Sequence, residues 1–230
     1  MIKIGIYTFA VGLPEQIGSV RLLDRIFERE KLMTNKILVT YATLSGTTVD
    51  VAQAIGEEIS KTGIQVDILP LEKVTNLEAY DGLVLGGPMI MGWHRSALGF
   101  LRKNRKQLSH IPFAIFVMAL SLTRSSDKSL NGVPLCIDEN LPKPPVKEGR
   151  LTFRERYANV ANYARPILNA AGPAKPVNIA FFGGRLDYGR LAWWAVMFVM
   201  FIIQAPAGDR RNWPVIRAWA AGIPGTFKRD

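Results

Sequence analysis

The sequence contains few of the side chains that bind metals or form cross-links. Among its 230 residues, Cys136 is the only cysteine, and His94 and His110 are the only histidines. A single cysteine excludes an internal disulfide and a zinc site with four cysteines, and it is typical of a reducing compartment. Two histidines leave little room for a histidine-built metal centre, so we expect no bound metal.

Acidic residues are scarce in one part of the chain only. Residues 1–140 hold 15 basic and 14 acidic side chains, whereas residues 141–230 hold 14 basic and 5 acidic ones. The net charge of +10 therefore comes almost wholly from the last third. Such a region favours an anionic substrate, an anionic membrane surface or nucleic acid. Because no zinc-finger or RNA-recognition signature accompanies it, we expect no nucleic-acid partner.

The start of the chain lacks a complete targeting signal. Residues 4–13 are apolar after a single Lys3, but no small-residue cleavage site follows them. Met33 stands just before the first convincing strand. We therefore expect an N-terminal extension at residues 1–32, outside the core, followed by one domain at residues 33–230.

From Lys36 onward, short apolar runs alternate with helical patterns. The expected strands are Ile37–Tyr41, Gln65–Leu69, Leu83–Leu85, Phe113–Met118 and Val177–Phe182, and the expected helices are Val49–Lys61, Arg95–Asn104 and Arg154–Ala170. This alternation predicts βαβ units and a parallel sheet covered on both faces. Residues 124–150 are rich in Pro, Ser and Lys, and they are too long and polar for a routine connection, so we treat them as an insertion.

The stretch "ATLSGTT" lies between the first strand and the first helix. Backbone N–H groups at a helix start lack intrahelical partners and carry partial positive charge, so they suit a phosphate. The expected phosphate-binding residues are Thr43, Leu44, Ser45, Gly46, Thr47 and Thr48. A Walker A loop needs a Lys at position 47, and a nucleophile elbow needs a Gly at position 43, where both residues are Thr. A plain N-cap by Ser45 or Thr47, without a ligand, is the remaining alternative.

Two more loops follow strands three and four, "GGPMIMGWHRS" and "ALSLTRSS". Ligands of open α/β sheets lie beyond the carboxyl ends of such strands. The first loop is unusually apolar, which a flat aromatic ring beside the phosphate would explain; packing of these side chains onto the sheet edge is the alternative. The expected ring-binding residues are Pro88, Met89, Ile90, Met91, Gly92, Trp93, Leu120, Ser121 and Leu122.

The stretch "TYATLSGTTVDVAQAIG" resembles the phosphate loop of flavodoxins. Thr43, Ser45, Gly46 and Thr48 match its hydroxyl and glycine pattern, and Leu44 departs from it. The resemblance implies a flavodoxin-like doubly wound sheet of five parallel strands in the order 2-1-3-4-5. It also implies FMN at the switch point, with a phosphate held without Lys or Arg.

A finer resemblance is to the menaquinone-dependent protoporphyrinogen IX dehydrogenases, and it covers about Met33 to Ile223. The matching positions are Gly86, Gly92, His94, Ser96 and Ala97, and then Gly183, Arg185, Tyr188, Arg190 and Trp213. The insertion is longer than expected for that family. The resemblance implies an FMN-dependent oxidoreductase linked to a quinone, and no catalytic residue is identified. Arg185 and Arg190 are candidates for binding a carboxylated substrate, because guanidinium groups prefer planar anions.

Two other function classes stay open at this stage. A flavodoxin-type electron carrier would have no substrate of its own, but such sequences are usually acidic and end soon after strand five. A membrane-associated scaffold without flavin would keep the fold and lose the cofactor.

Residues 191–203 are thirteen apolar residues without a break. A membrane span needs about 20 residues, so the alternatives are a buried helix or one docked on a membrane or a partner. The segment shows no polar face, which favours docking over burial. Trp193, Trp194, Arg210 and Arg211 suit a bilayer interface. We therefore predict a protein that lies peripherally on the cytoplasmic face of the membrane.

Overall fold

The computed structural model describes residues 36–44, 46–89, 92–124, 126–147, 150–190, 193–198, 200–201 and 207–228. The expected extension at residues 1–32 and the expected domain start at Met33 lie outside these residues.

The central element is a parallel sheet whose strands are rich in buried Ile, Leu, Val and Phe, as expected for a sheet covered on both faces. The strands in the described part of the chain are β1 (Lys36–Tyr41), β2 (Gln65–Pro70), β3 (Gly82–Met89), β4 (Phe113–Ala119), β5 (Leu122–Thr123), β6 (Ser129–Leu130), β7 (Val133–Ile137), β8 (Pro142–Lys143), β9 (Asn178–Gly183), β10 (Arg185–Leu186) and β11 (Gly208–Asp209). The main sheet has the order β2-β1-β3-β4-β9-β7-β6. Its first five strands are parallel. Since β9 is the fifth predicted strand, they confirm the predicted order 2-1-3-4-5.

Within the described residues the sheet has seven strands where five were predicted, and the insertion supplies the two additional ones. β7 pairs in parallel with β9, with Leu135 opposite Ile179, and β6 pairs antiparallel with β7. The short β5 and β8 form a separate two-stranded pair, with Leu122 opposite Pro142. The insertion is therefore an ordered extension of the sheet edge that also contacts the loop after β4.

Helices cover both faces of the sheet. They are α1 (Thr47–Ser60), α2 (Arg95–Lys103), α3 (Arg105–Leu108), α4 (Phe153–Tyr157), α5 (Val160–Ala171), α6 (Trp193–Phe198) and α7 (Trp213–Phe227). Leu101 of α2 and Ile167 of α5 belong to one buried cluster. Ile55 of α1 and Ile216 of α7 belong to the other. Burial of this kind stabilises the folded state by about 25 cal/mol per Å² of apolar surface. It also holds in place the edge of the sheet from which the loops extend.

One helical prediction differs from the structure, and another falls largely outside the described residues. The helix predicted at Arg154–Ala170 is two helices, because Asn159 caps α5 by accepting a hydrogen bond from the N–H of Ala161 at 2.8 Å. The apolar run at residues 191–203 was expected to form one helix, and the structure describes only α6 and residues 200–201 within it. Among the helices of the described ranges, none combines the length and apolar character needed to cross a membrane.

Candidate functional site

Three loops meet at the carboxyl edge of the sheet, where β1, β3 and β4 end side by side. Tyr41 lies opposite Gly86, and Met89 lies opposite Ala119. The switch point lies between β1 and β3, because the chain runs from β1 to β2 on one side and then returns to β3 on the other side of β1. Open α/β sheets bind their ligands at such a point. The fold thus brings the predicted phosphate loop and the two predicted ring loops to one edge.

The loop between β1 and α1 begins the helix without a side-chain cap. Gly46 is the N-cap residue, and its φ of 83° is left-handed, a conformation that favours glycine. Its N–H donates to Thr43 Oγ1 at 2.9 Å. The alternative of a plain N-cap by Thr47 is wrong, because that residue is already in the helix. Ser45 lies outside the described residues.

Thr48 carries an unusual hydroxyl group. The residue is fully buried, and its Oγ1 has no hydrogen-bond partner within the described ranges. Leaving a buried polar group unpaired costs about 1–3 kcal/mol. The first backbone N–H groups of α1 lie at the same place and attract negative charge. A hydroxyl in need of a partner beside a helix start fits the phosphate of FMN.

The loop after β3 is closed by its own side chains. Met89 and Trp93 are each 3% exposed, form an isolated antiparallel bridge and belong to the core. Trp93 Nε1 donates to the carbonyl of Gly87 at 3.3 Å. These two side chains therefore pack onto the sheet, as the alternative interpretation expected. Met89 and Trp93 could contact a flavin only through their backbone atoms. Ile90 and Met91 lie outside the described residues.

The loop after β4 is partly open. Leu122 is buried in the core, whereas Leu120 and Ser121 are half-buried. The carbonyl of Ser121 accepts a hydrogen bond from the Tyr163 hydroxyl at 3.3 Å. Leu120 and Ser121 are therefore the members of this loop that can reach a ligand with side-chain atoms.

A cleft of about 540 Å³ adjoins this loop, and we call it the insertion cleft. It is lined by Ser121, Leu122, Thr123, Lys143, Pro144, Val146, Thr152, Phe153, Arg154, Glu155, Ala158 and Phe201. Val146, Phe153 and Phe201 are 79%, 69% and 63% exposed. Large apolar side chains seldom stay open to water around a cleft without a ligand or partner. No sequence motif predicted this site, because its lining comes from four separate segments.

The short helix α4 joins the insertion cleft to both ring loops. The Glu155 carboxylate accepts hydrogen bonds from the N–H groups of Thr152 and Val146, each at 2.6 Å. The hydrogen bond from Thr152 and then that from Val146 hold the pKa of Glu155 below its usual value. Thr123 Oγ1 donates to the carbonyl of Glu155 at 2.8 Å. The spacing from Thr152 to Glu155 is a capping box, a signal that the sequence alone carries.

The other end of α4 reaches the loop after β3. Burial raises the pKa of Tyr157, and a hydrogen bond with the backbone of Gly92 lowers it to a smaller extent. Gly92 has a φ of 96°, again left-handed. α4 is thus fixed to both loops that were expected to hold the flavin ring.

The cations of the candidate site differ in their surroundings. Lys143 and Arg154 line the insertion cleft, and neither forms an ion pair with any residue in the described ranges. Arg185 pairs with Asp187 at 3.7 Å and is not part of the cleft lining. Arg190 ends a 3-10 turn, and its side chain lies outside the described part of the structure.

Part of the apolar segment is exposed. Trp193, Met197, Met200 and Phe201 are 79%, 47%, 52% and 63% exposed, and we call these four side chains the apolar face. Trp193 and Met197 are four residues apart in α6 and therefore lie on one side of that helix. A fully buried helix is therefore wrong for these positions. Phe201 belongs both to the apolar face and to the lining of the insertion cleft.

Metal ligands do not cluster in the described ranges, where no group of three His, Cys, Asp or Glu side chains could hold an ion. Burial, and then the charge of Asp138, raise the pKa of Cys136, so its thiol stays protonated at neutral pH.

The model of the family described as "Flavodoxin domain" matches residues 38–212 of the chain. Protoporphyrinogen IX dehydrogenase [quinone] of Escherichia coli strain K12 is 24% identical over 189 residues, covering 80% of this chain and 88% of that protein.

Two solved flavodoxin structures are similar to the chain. A two-electron reduced flavodoxin of Megasphaera elsdenii has a TM-score of 0.42 at 13% identity and covers 80% of this chain and 98% of its own. A cysteine-to-alanine variant of Pseudomonas aeruginosa flavodoxin has a TM-score of 0.44 at 13% identity, covering 84% and 99%.

Proposed function

The chain belongs to the flavodoxin domain family, its cofactor is FMN, and on this premise we propose that it is a quinone-linked oxidoreductase acting at a membrane surface. A redox role of the flavin follows from the family. The electron donor, the electron acceptor and the membrane location are the parts of the proposal that go beyond the family.

The loop at the start of α1 is where we place the FMN phosphate. The first N–H groups of the helix, the hydroxyl of Thr48 and the left-handed backbone at Gly46 would hold it there. The isoalloxazine would then extend between residues 88–93 and 120–122. When bound, FMN supplies a redox centre that takes two electrons from a donor and delivers them to a quinone, which becomes a quinol with two protons.

The insertion cleft is the single observation that carries the proposal. An electron carrier needs only an exposed flavin edge, whereas an enzyme needs a second site for its own substrate beside the flavin. The cleft shares Ser121 and Leu122 with the loop after β4, so a molecule within it would approach the proposed flavin position. Its size is within the range of small-molecule pockets, about 300–1,000 Å³.

An apolar molecule with acidic groups suits the lining of the insertion cleft. Val146, Phe153 and Phe201 offer apolar surface, and Lys143 and Arg154 offer positive charge. The name of the Escherichia coli relative states a substrate of this kind, protoporphyrinogen IX, with a quinone as acceptor. We propose a carboxylated, porphyrinogen-like donor, with Arg185 and Arg190 as further candidates for its carboxylates.

The apolar face supports a location on a bilayer. Each large apolar side chain moved out of water gains about 1.5–3 kcal/mol, and the basic charge of residues 141–230 adds attraction to anionic lipid. Since Phe201 lies on both the apolar face and the cleft lining, a quinone leaving the lipid would reach the cleft directly. We place the protein peripherally on the cytoplasmic face of the membrane.

The test is to follow the two half-reactions separately under anaerobic conditions. Oxidised FMN-loaded protein is mixed with protoporphyrinogen, and photoreduced protein is mixed with a soluble menaquinone analogue. The proposal expects both reactions to saturate with substrate. Each turnover would remove two electrons and two protons from the donor and produce one quinol.

Each outcome separates one function class from another. If the quinone oxidises the reduced protein saturably but the porphyrinogen does not reduce the oxidised protein, the porphyrinogen is rejected as donor and the quinone stays as acceptor. Linear, non-saturating reactions in both directions would identify an electron carrier. A purified protein that takes up no FMN would reject the whole proposal.

A further inference from the structure

One acidic side chain lies where an incoming phosphate would be repelled. Asp50 is in the first turn of α1, and it is the acidic residue of that turn. A carboxylate there interacts favourably with the helix start. For that reason it competes with any phosphate for the same positive potential. The phosphate loop therefore needs a way to offset the charge of Asp50.

Arg211, distant in sequence, contacts Asp50. Its Nη1 lies 2.7 Å from Asp50 Oδ2. Its Nη2 lies 2.6 Å from Asp209 Oδ2, and its Nε donates to both oxygens of Asp209 at 2.9 and 3.1 Å. The guanidinium thus links Asp209, at the end of β11, to Asp50, in the first turn of α1.

The guanidinium is held in this position from several sides. The Arg211 side chain is only 6% exposed, although that of Asp50 is 54% exposed. The carbon of the guanidinium lies 4.6 Å from the centre of the Trp213 ring, within the range of a cation–π contact. The N–H of Arg211 donates to Asp209 Oδ1 at 3.0 Å. A charge held this firmly is in place before the phosphate arrives.

We propose that Arg211 is a positioning residue for FMN: it offsets the charge of Asp50 and so keeps the start of α1 attractive to a phosphate. This inference rests on the placement of the FMN phosphate at Gly46–Thr48 under the proposed function. In this inference Arg211, which follows β11, contributes to cofactor affinity although it lies outside the phosphate loop. Arg211 acts through Asp50 and the helix start and makes no claimed contact with the flavin.

The experiment is a charge cycle at these two positions, with affinity read from the quenching of FMN fluorescence by the apoprotein. Arg211→Gln should raise the dissociation constant about tenfold at low salt, and Asp50→Asn should lower it about threefold. The double variant should lie close to the wild type, since one charge of each sign has been removed. The effect of Asp50→Asn should shrink in high salt, because Asp50 is 54% exposed and exposed charges are screened, whereas the effect of Arg211→Gln should shrink less, because the Arg211 side chain is 6% exposed.

Arg217→Gln is the matched control. Arg217, which lies in α7, also pairs with α1, with its Nη2 3.6 Å from Glu57 and its Nη1 3.5 Å from Glu58, but these partners lie near the far end of α1. Its loss should leave FMN affinity unchanged. A structural role shared by both arginines would instead weaken binding equally in the two variants.

The outcomes separate this inference from the function it rests on. If Arg211→Gln weakens binding and Asp50→Asn does not restore it, Arg211 has a structural role only and the inference is overturned. Should Arg211→Gln fail to fold, Asp50→Asn tests the inference alone. An FMN affinity equal to that of the wild type in Asp50→Asn would then overturn the inference. Normal FMN affinity in Gly46→Val would show that the phosphate lies elsewhere, which rejects the placement itself.

Discussion

The start of α1 and the insertion cleft lie at the same edge of the sheet, and they are built in different ways. The start of α1 is a continuous loop of a few residues, with a buried hydroxyl and a left-handed glycine. The cleft is assembled from residues 121–123, 143, 144, 146, 152–155, 158 and Phe201. On the function proposed above, the local motif would hold the cofactor and the composite surface would select what reacts with it. The predictions below test that division of roles.

The largest expected effect is at Gly46. Gly46→Val places a β-branched side chain on a left-handed backbone, which costs roughly 1–2 kcal/mol, and it narrows the approach to the helix start. FMN content of the purified protein should fall about tenfold or more. Gly63→Val is the control, because Gly63 has a φ of 84° with nothing within 4 Å of the added carbon. Equal flavin loss in both variants would make backbone strain, and not the phosphate site, the cause.

A smaller and more specific effect is expected at Thr48. Thr48→Val removes the buried hydroxyl and keeps the shape, so FMN should bind about fivefold to tenfold more weakly. The apoprotein should be at least as stable as the wild type in thermal unfolding, because an unpaired buried group is removed. Thr40→Val is the control, since Thr40 is equally buried and its hydroxyl also lacks a partner among the described residues. Thr40→Val should spare FMN affinity; a loss of apoprotein stability in Thr48→Val would contradict the account.

The apolar face should affect membrane binding and not the flavin. Trp193→Ser with Met197→Ser should lower partitioning onto anionic liposomes several-fold, and added salt should weaken binding of the wild type. Val146→Ser is the control, because Val146 is 79% exposed but lies outside the apolar face. A wild type that stays entirely in the supernatant, measured by sedimentation, would reject docking on a bilayer.

The smallest effect is expected at the anchor of the insertion. Glu155→Ala should increase proteolytic cleavage within residues 124–150 at neutral pH. Since its folded pKa is lowered from 4.5, the stabilisation by Glu155 is present above that value and is lost as the pH falls through the folded pKa. Wild type and variant should therefore converge in acid. Glu139→Ala, an exposed carboxylate of the same insertion, should show neither change; equal cleavage in both variants would exclude the capping role.

The sheet order could be predicted because its signals are local, and the phosphate loop, an equally local pattern, stays a prediction. Apolar runs such as Ile37–Tyr41 and the pattern around Gly46 each lie within one short stretch of sequence. The insertion cleft could not be predicted, because its shape depends on β7 pairing with β9 and on the Glu155 bond to Val146. Met89 and Trp93 show the reverse case, since their apolar character pointed to a flavin and the structure places both side chains in the core. Composition alone cannot say which surface an apolar side chain covers.

The measurement that tests the central claim most directly is the reoxidation of photoreduced, FMN-loaded protein by a soluble menaquinone analogue, compared between Phe153→Glu and Trp193→Glu. Both wild-type side chains are exposed and apolar, and only Phe153 lines the insertion cleft. The account predicts that the wild type and Trp193→Glu saturate at the same quinone concentration. Phe153→Glu should need about tenfold more quinone, while its reaction with ferricyanide stays unchanged. Identical saturation in all three proteins, or none in any, would contradict the assignment of the cleft as the substrate site.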